Sequence, residues 1–289
     1  MSQFRRIYLW AFLAICLSVP AFAQQPGIED NIRFLNYLME SKQFGDAIFL
    51  SKQLASQPDY QIHAPAYYAG FAHYNLRQLD SAALYLGQVS ESSNFYLKSR
   101  FFQGLSLAYL TKYKDARQVF DQILATDSVM AELQIFERAG MALLQKDYQR
   151  FDSLSGQFTY AYYPYSKQEE NMLSYKQQLQ KARRRSPVVA GLLSAVVPGA
   201  GKVYAGQLGQ GVAIFLQNSI FALQAWEGYR KDGPRSARFL IYSGLFTVFY
   251  IGNVWGSVIS VQIKRQEMYE RINNQILFDM HIPLRTIFN

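Results

Sequence analysis

Cysteine is almost missing from this chain. The 289 residues hold one, Cys16, inside an N-terminal apolar stretch, so the remainder can form no disulfide, thiol nucleophile or thiolate metal site. Histidine is scarce too. The three at positions 63, 73 and 281 make no metal-ligand spacing, and no metal or other cofactor is expected. No serine, histidine and acid fall into a nucleophile motif, and the carboxylates are scattered, so no catalytic residue is assigned and no enzyme is expected. Gly199-x-Gly201-Lys202 lacks the frame of a phosphate loop, because Val196 stands where the first glycine belongs and no Ser or Thr follows the lysine.

Charge is also missing where it matters. Residues 203–226 and 239–261 contain none, and each run matches the roughly 20 apolar residues that cross a bilayer. The net charge of +8 is carried unevenly: residues 24–180 hold 14 Lys/Arg against 16 Asp/Glu, and residues 181–289 hold 13 against 5. The excess base flanks apolar runs instead of forming a face on a folded domain. It is read as membrane-topology charge, with no nucleic-acid partner.

At the N-terminus, Arg5 and Arg6 precede a short apolar stretch ending at Val19, then Pro20-Ala21-Phe22-Ala23. A basic start, a run too short to span and an Ala-x-Ala pattern predict a secretory signal cleaved after Ala23.

Internal periodicity follows. Gly70 and Gly104, Leu79 and Tyr113, Ala82 and Ala116, and Leu86 and Phe120 are all 34 residues apart. Phe44 and Ala47 fit an upstream unit closed by Pro58. Gly140 and Tyr148 fit a downstream one in which Phe151 replaces the small alanine, so that hairpin should be wider or irregular. These units resemble tetratricopeptide repeats over residues 29 to about 155, which implies an all-α solenoid of helical hairpins. In that family ligands lie in a concave groove lined by the first helix of each pair. By register the groove residues are Tyr67, Phe71, Tyr74, Asn75, Phe101, Leu105 and Tyr109. An aromatic groove suits a protein or peptide partner, and packing of the same rings between hairpins is the competing reading. Ser166-Lys-Gln-Glu169 reads as a capping box opening a last helix toward Arg185, which would solvate the end of the array.

From Ser186 the composition turns apolar. Residues 187–197 are too short to cross a bilayer and should form a partial helix that turns at Pro198-Gly199. The string S-P-x-x-A-x-x-x-S-x-x-x-P-G-x-G-x-x-Y-x-G, with Pro198, Gly199, Gly201, Tyr204 and Gly206, followed by Asn218, resembles a bacterial membrane domain of unknown function related to a family with two transmembrane helices. Lys202 stands where that family usually has glutamine. The resemblance implies a membrane domain over residues 186–263 with spans near 203–226 and 239–261, then a tail. Gly252, Gly256 and Ser260 make a small-residue stripe for helix packing, which also allows a homo-oligomer through the membrane helices.

Basic residues sit on both sides of the spans, so the signal decides the topology: a bacterial inner-membrane protein with its repeats in the periplasm. The expectation is a membrane-anchored scaffold in contact with the lipid bilayer whose exported repeats bind a protein or peptide. The alternative is a membrane-assembly or transport component acting through the C-terminal domain.

Overall fold

The computed structural model describes residues 27–57, 65–125, 127–161 and 163–288. The expected signal peptide with Cys16, the repeat-closing Pro58 and His63 lie outside them. Among the described residues the chain is all-helical, with no strand, as the all-α expectation required.

Eight helices form four consecutive hairpins: α1 (Ile28–Glu40) with α2 (Phe44–Ala55), α3 (Pro65–Asn75) with α4 (Leu79–Gly87), α5 (Tyr96–Tyr109) with α6 (Tyr113–Asp121), and α7 (Ser128–Leu144) with α8 (Tyr148–Ser155). The turn inside each hairpin is the same. Lys42, Arg77, Thr111 and Lys146 adopt left-handed conformations with φ of 59°, 59°, 60° and 60°. Beyond each, the next N–H reaches back five residues: Gln43 to Leu38, Gln78 to His73, Lys112 to Leu107 and Asp147 to Ala142, at 2.8–3.0 Å. This helix-ending motif recaptures carbonyls that the helix would otherwise leave unpaired, which offsets the roughly 1–2 kcal/mol that a non-glycine residue costs in that conformation.

Small residues let the helices close on one another. Ala47, Ala82 and Ala116 are fully buried. A Cβ on Gly70 would lie 2.7 Å from Leu86 Cγ, and one on Gly104 would lie 2.6 Å from Phe120 Cζ. In the fourth hairpin the pattern breaks. Phe151 is fully buried in the place of an alanine, and the space beside Gly140 is taken from outside the hairpin, by Met280, whose Sδ would lie 2.6 Å from an added Cβ.

Helix α9 (Tyr163–Arg184) starts three residues before Ser166, so the expected capping box does not open it. Pro164 sits in its first turn, where a missing N–H costs nothing, and Glu169 instead accepts a bond from the Tyr160 N–H at 3.1 Å. Nor is α9 only a solvating cap. Its buried Met172, Tyr175 and Leu179 belong to the main core.

Four helices complete the chain: α10 (Pro187–Val196), α11 (Ala200–Tyr204), α12 (Leu208–Asp232) and α13 (Ala237–Phe288). Ser186 caps α10 by accepting from Val189 N. The uncharged run at 203–226 does not form one helix, because the chain turns at Gly206, φ 88°, and α12 begins two residues later. Residues 264–288 are not a loose tail either, since α13 continues without a break through the expected boundary at 263. At 52 residues and about 1.5 Å per residue it is roughly 78 Å long. Of the described helices, α13 is the one long and apolar enough to cross a membrane, and only 22% of its most apolar 18 residues are buried, so protein does not cover that stretch. Its last third does the reverse: Ile272, Ile276, Met280 and Leu284 are fully buried in the same core as the hairpins.

Candidate functional site

Part of the surface expected to hold a partner is covered by the chain's own C-terminal helix. Ile272, Ile276, Met280 and Leu284 recur every four residues, which puts them on one face of α13, and that face lies on α5 and α7 while α9 packs alongside. Ring contacts extend the seam. Tyr74 meets His281 edge-on at 5.9 Å between centroids, and Phe288 lies 5.7 Å from Phe101 and 6.4 Å from Phe102.

Polar bonds fix the register that apolar packing alone would leave free to slide. Lys98 Nζ donates to the Phe288 carbonyl at 2.8 Å and Tyr109 OH donates to the Leu277 carbonyl at 3.3 Å. From the opposite side Tyr175 OH and Asn171 Nδ2 both donate to Asp279 Oδ2, at 2.8 and 3.0 Å. Farther up, Lys146 Nζ stands 3.8 Å over the Tyr269 ring. Helix α13 is thus clamped between α9 and the inner helices of the hairpins.

The groove residues read from the sequence divide accordingly. Tyr74, Phe101 and Tyr109 touch α13, and Leu105 is fully buried in the shared core. Tyr67 and Phe71 instead stack within the array, Tyr67 on Phe95 at 4.2 Å and Phe71 on Tyr67 at 5.7 Å. Asn75 is exposed and donates to its own helix, to the Phe71 carbonyl. Phe102, Asn171, Tyr175, Asp279 and Met280 were missed. The four-residue apolar spacing from Ile272 to Leu284 was the available signal, and it marks a helix face too apolar for a solvated tail.

Electrostatically the seam is quiet. Glu137 on α7 is fully buried, and neither carboxylate oxygen has a hydrogen-bond partner. Burial raises its pKa well above the ordinary carboxylate value, which favours the protonated form. Burial raises Tyr74 and Tyr109, and an ionised Glu137 beside them would add to that rise. Burial, reinforced by Arg285, lowers His281, which favours the neutral imidazole. The arrangement offers apolar area with a few register-setting bonds, which is the chemistry of docking. Among the described residues no group of three or more His, Cys, Asp or Glu could hold a metal ion.

A second cluster surrounds the Pro198-Gly199 turn. Gly199 has φ 87°, and a Cβ there would collide with the Gly211 carbonyl oxygen, so only glycine fits. The freed backbone groups find partners on α13 and α10. Gly199 N–H donates to Asn253 Oδ1 at 3.2 Å, Gly201 N–H donates to Ser194 Oγ at 2.9 Å, and Ser194 and Ser257 share a bond of 2.7 Å. Tyr204 OH accepts from Ser186 N–H at 3.1 Å. Lys202 Nζ donates to Ser260 Oγ at 2.6 Å, and Ser260 donates in turn to the Gly256 carbonyl. Asn218 is buried and donates to Ile214 of its own helix. Of the expected stripe, Gly256 and Ser260 face Lys202 of the turn, joined by Asn253 and Ser257 one position along, whereas Gly252 faces open space. Polar side chains on that face pair backbone groups that burial would otherwise leave unsatisfied, at a cost of about 1–3 kcal/mol per group.

Compared with protein-family models, curated proteins and solved structures, the chain matches none of them.

Proposed function

We propose that this chain is a membrane-anchored scaffold: an array of tetratricopeptide-like hairpins fastened to a bundle of membrane helices by α13, presenting its outer surface to a protein partner in the bacterial envelope. The observation that carries the reading is the continuity of α13. Its apolar first part is mostly uncovered and its last third packs into the core of the hairpins, so one helix joins the array to the proposed membrane helices. The recurring left-handed turns at 42, 77, 111 and 146 support the repeat reading. The uncharged side chains Leu216, Ile220 and Leu223, all exposed on α12, support a second span beside α13.

With the groove filled, a partner meets other surfaces. The first hairpin exposes the stacked pair Phe34 and Tyr37, together with Phe49, large rings that water solvates poorly. The second reading, a membrane-assembly or transport component, is favoured by the buried Ser194, Ser257 and Asn253, since polar groups inside a membrane domain are often functional.

Photocrosslinking side chains placed at Phe49 and at Leu192 in the full chain, in its native envelope, separate the two. Capture of a protein partner from Phe49 supports the scaffold. Capture from Leu192 alone moves the action to the membrane domain. The proposed placement, inner membrane with periplasmic repeats, predicts that protease added to intact spheroplasts cuts the hairpins and spares the loop around Arg235.

A further inference from the structure

Where α9, the α11–α12 link and α13 meet, a cavity of about 250 Å³ is lined by Lys181, Ala182, Arg185, Ala205, Val261, Lys264, Arg265 and Met268. Four of these side chains are cationic and none is acidic. We infer that this cavity binds the phosphate headgroup of an anionic membrane lipid.

The placement argues for lipid. Val261 lies close to the end of the uncharged run of α13, and Lys264 and Arg265 begin its charged part. Arg185 closes α9 just before α10, whose Val188, Val189, Leu192 and Val196 are exposed. The cavity therefore sits at the level where apolar surface gives way to polar surface, which is where headgroups lie if α10, α12 and α13 are in the membrane. Basic pockets between membrane helices at that level take phospholipid headgroups. Its floor of Ala205, Val261 and Met268 is apolar and suits the start of an acyl chain. A free phosphate would gain nothing from it.

The charge is also uncommitted. Arg185 Nη1 donates to the Ala205 carbonyl at 3.2 Å, and Arg265 Nη2 donates to the Arg185 carbonyl. Backbone carbonyls thus hold both guanidinium groups in place without neutralising them. Arg265 Nε is buried with no partner, a donor waiting for an acceptor. Among the described residues, of these four cations only Lys264 has an acidic partner, Glu267 at 2.7 Å, and both of those side chains are solvent-accessible, so that pair is weak.

The inference rests on the membrane reading above, and the test keeps the two apart. The full chain in detergent is titrated with short-chain phosphatidylglycerol, short-chain phosphatidylcholine or inorganic phosphate, while its thermal midpoint and bound lipid are followed by fluorescence and native mass spectrometry. Phosphatidylglycerol alone should stabilise the chain. At about fivefold per cation near a membrane surface, Lys181→Gln should weaken that effect about fivefold and Lys264→Gln with Arg265→Gln roughly thirtyfold. Arg230→Gln with Arg235→Gln, at the opposite ends of α12 and α13, should change nothing. Equal effects of the two lipids, stabilisation by phosphate alone, or equal weakening by the loop pair would overturn the inference. A chain that stays dispersed after detergent removal refutes the membrane reading itself.

Discussion

The docking of α13 can be tested at one contact. Gly140 on α7 faces Met280, whose Sδ and Cγ would lie 2.6 and 2.8 Å from an added Cβ; Met280 is fully buried. Gly140→Ala forces the thioether aside. Overpacking costs about 1–3 kcal/mol against a helix-propensity gain of about 1 kcal/mol, leaving a net loss between about zero and 2 kcal/mol. Met280→Ala alone leaves a cavity and should cost about 2–5 kcal/mol. In the double variant the new methyl enters the vacated space, so the overpacking disappears and the propensity gain remains. The double variant should then be more stable than Met280→Ala alone by about 1 kcal/mol, a favourable coupling of about 1–3 kcal/mol. As a control, Gly70→Ala meets Leu86 and no residue of α13, and should add to Met280→Ala within about 0.5 kcal/mol. Denaturant unfolding of the full chain in detergent measures all the corners. Strict additivity of Gly140→Ala and Met280→Ala would mean that α13 does not lie on α7, and the filled groove would have to be abandoned.

Other outcomes follow from buried groups. Because the pKa of Glu137 is raised above its ordinary 4.5, the folded chain keeps a proton that the unfolded chain releases, so stability falls as pH rises from about 4.5 toward the raised value. Glu169, raised to about 7, has the same sign up to about pH 7, and the fall of thermal midpoint with pH should be shallower in Glu137→Met, which removes the Glu137 share. Ala82→Leu and Ala116→Leu, at fully buried positions, should each cost about 1–3 kcal/mol, with partly exposed Ala131→Leu milder; equal losses in a thermal melt would argue against the 34-residue register. Gly199→Ala should destabilise the detergent-solubilised chain through its positive φ and the Gly211 carbonyl, while Gly252→Ala, inside a helix with no atom within 4 Å, should stabilise it by up to about 1 kcal/mol; comparable losses at both would remove the case for a tightly covered turn.

Local regularities were legible without coordinates because they repeat within short stretches. Spacings of 34 residues place Gly70 against Leu86 and Gly104 against Phe120, since both partners in each pair lie in one hairpin. The break in the apolar run at 203–226 was less legible. Gly206 sits inside an uncharged stretch, and hydropathy alone does not register a single left-handed glycine. The capping-box pattern at Ser166 misled, because the same Glu169 found a nearer use with the Tyr160 N–H and Pro164 already opened the helix.

The sequence by itself determined the helical class, the hairpin period and the uncharged stretches, all properties of residues close along the chain. Only the tertiary structure decided what fills the aromatic groove. Tyr74, Phe101 and Tyr109 meet residues from 277 to 288, roughly 170 to 210 positions away, and no local pattern encodes which distant face an aromatic surface will bury. It also decided that Gly140, 36 residues after Gly104 and so two residues off the 34-residue period, makes room for Met280 of α13 instead of for its own hairpin. Close packing rewards whichever side chain fills the space, and the chain that fills this one arrives from its far end.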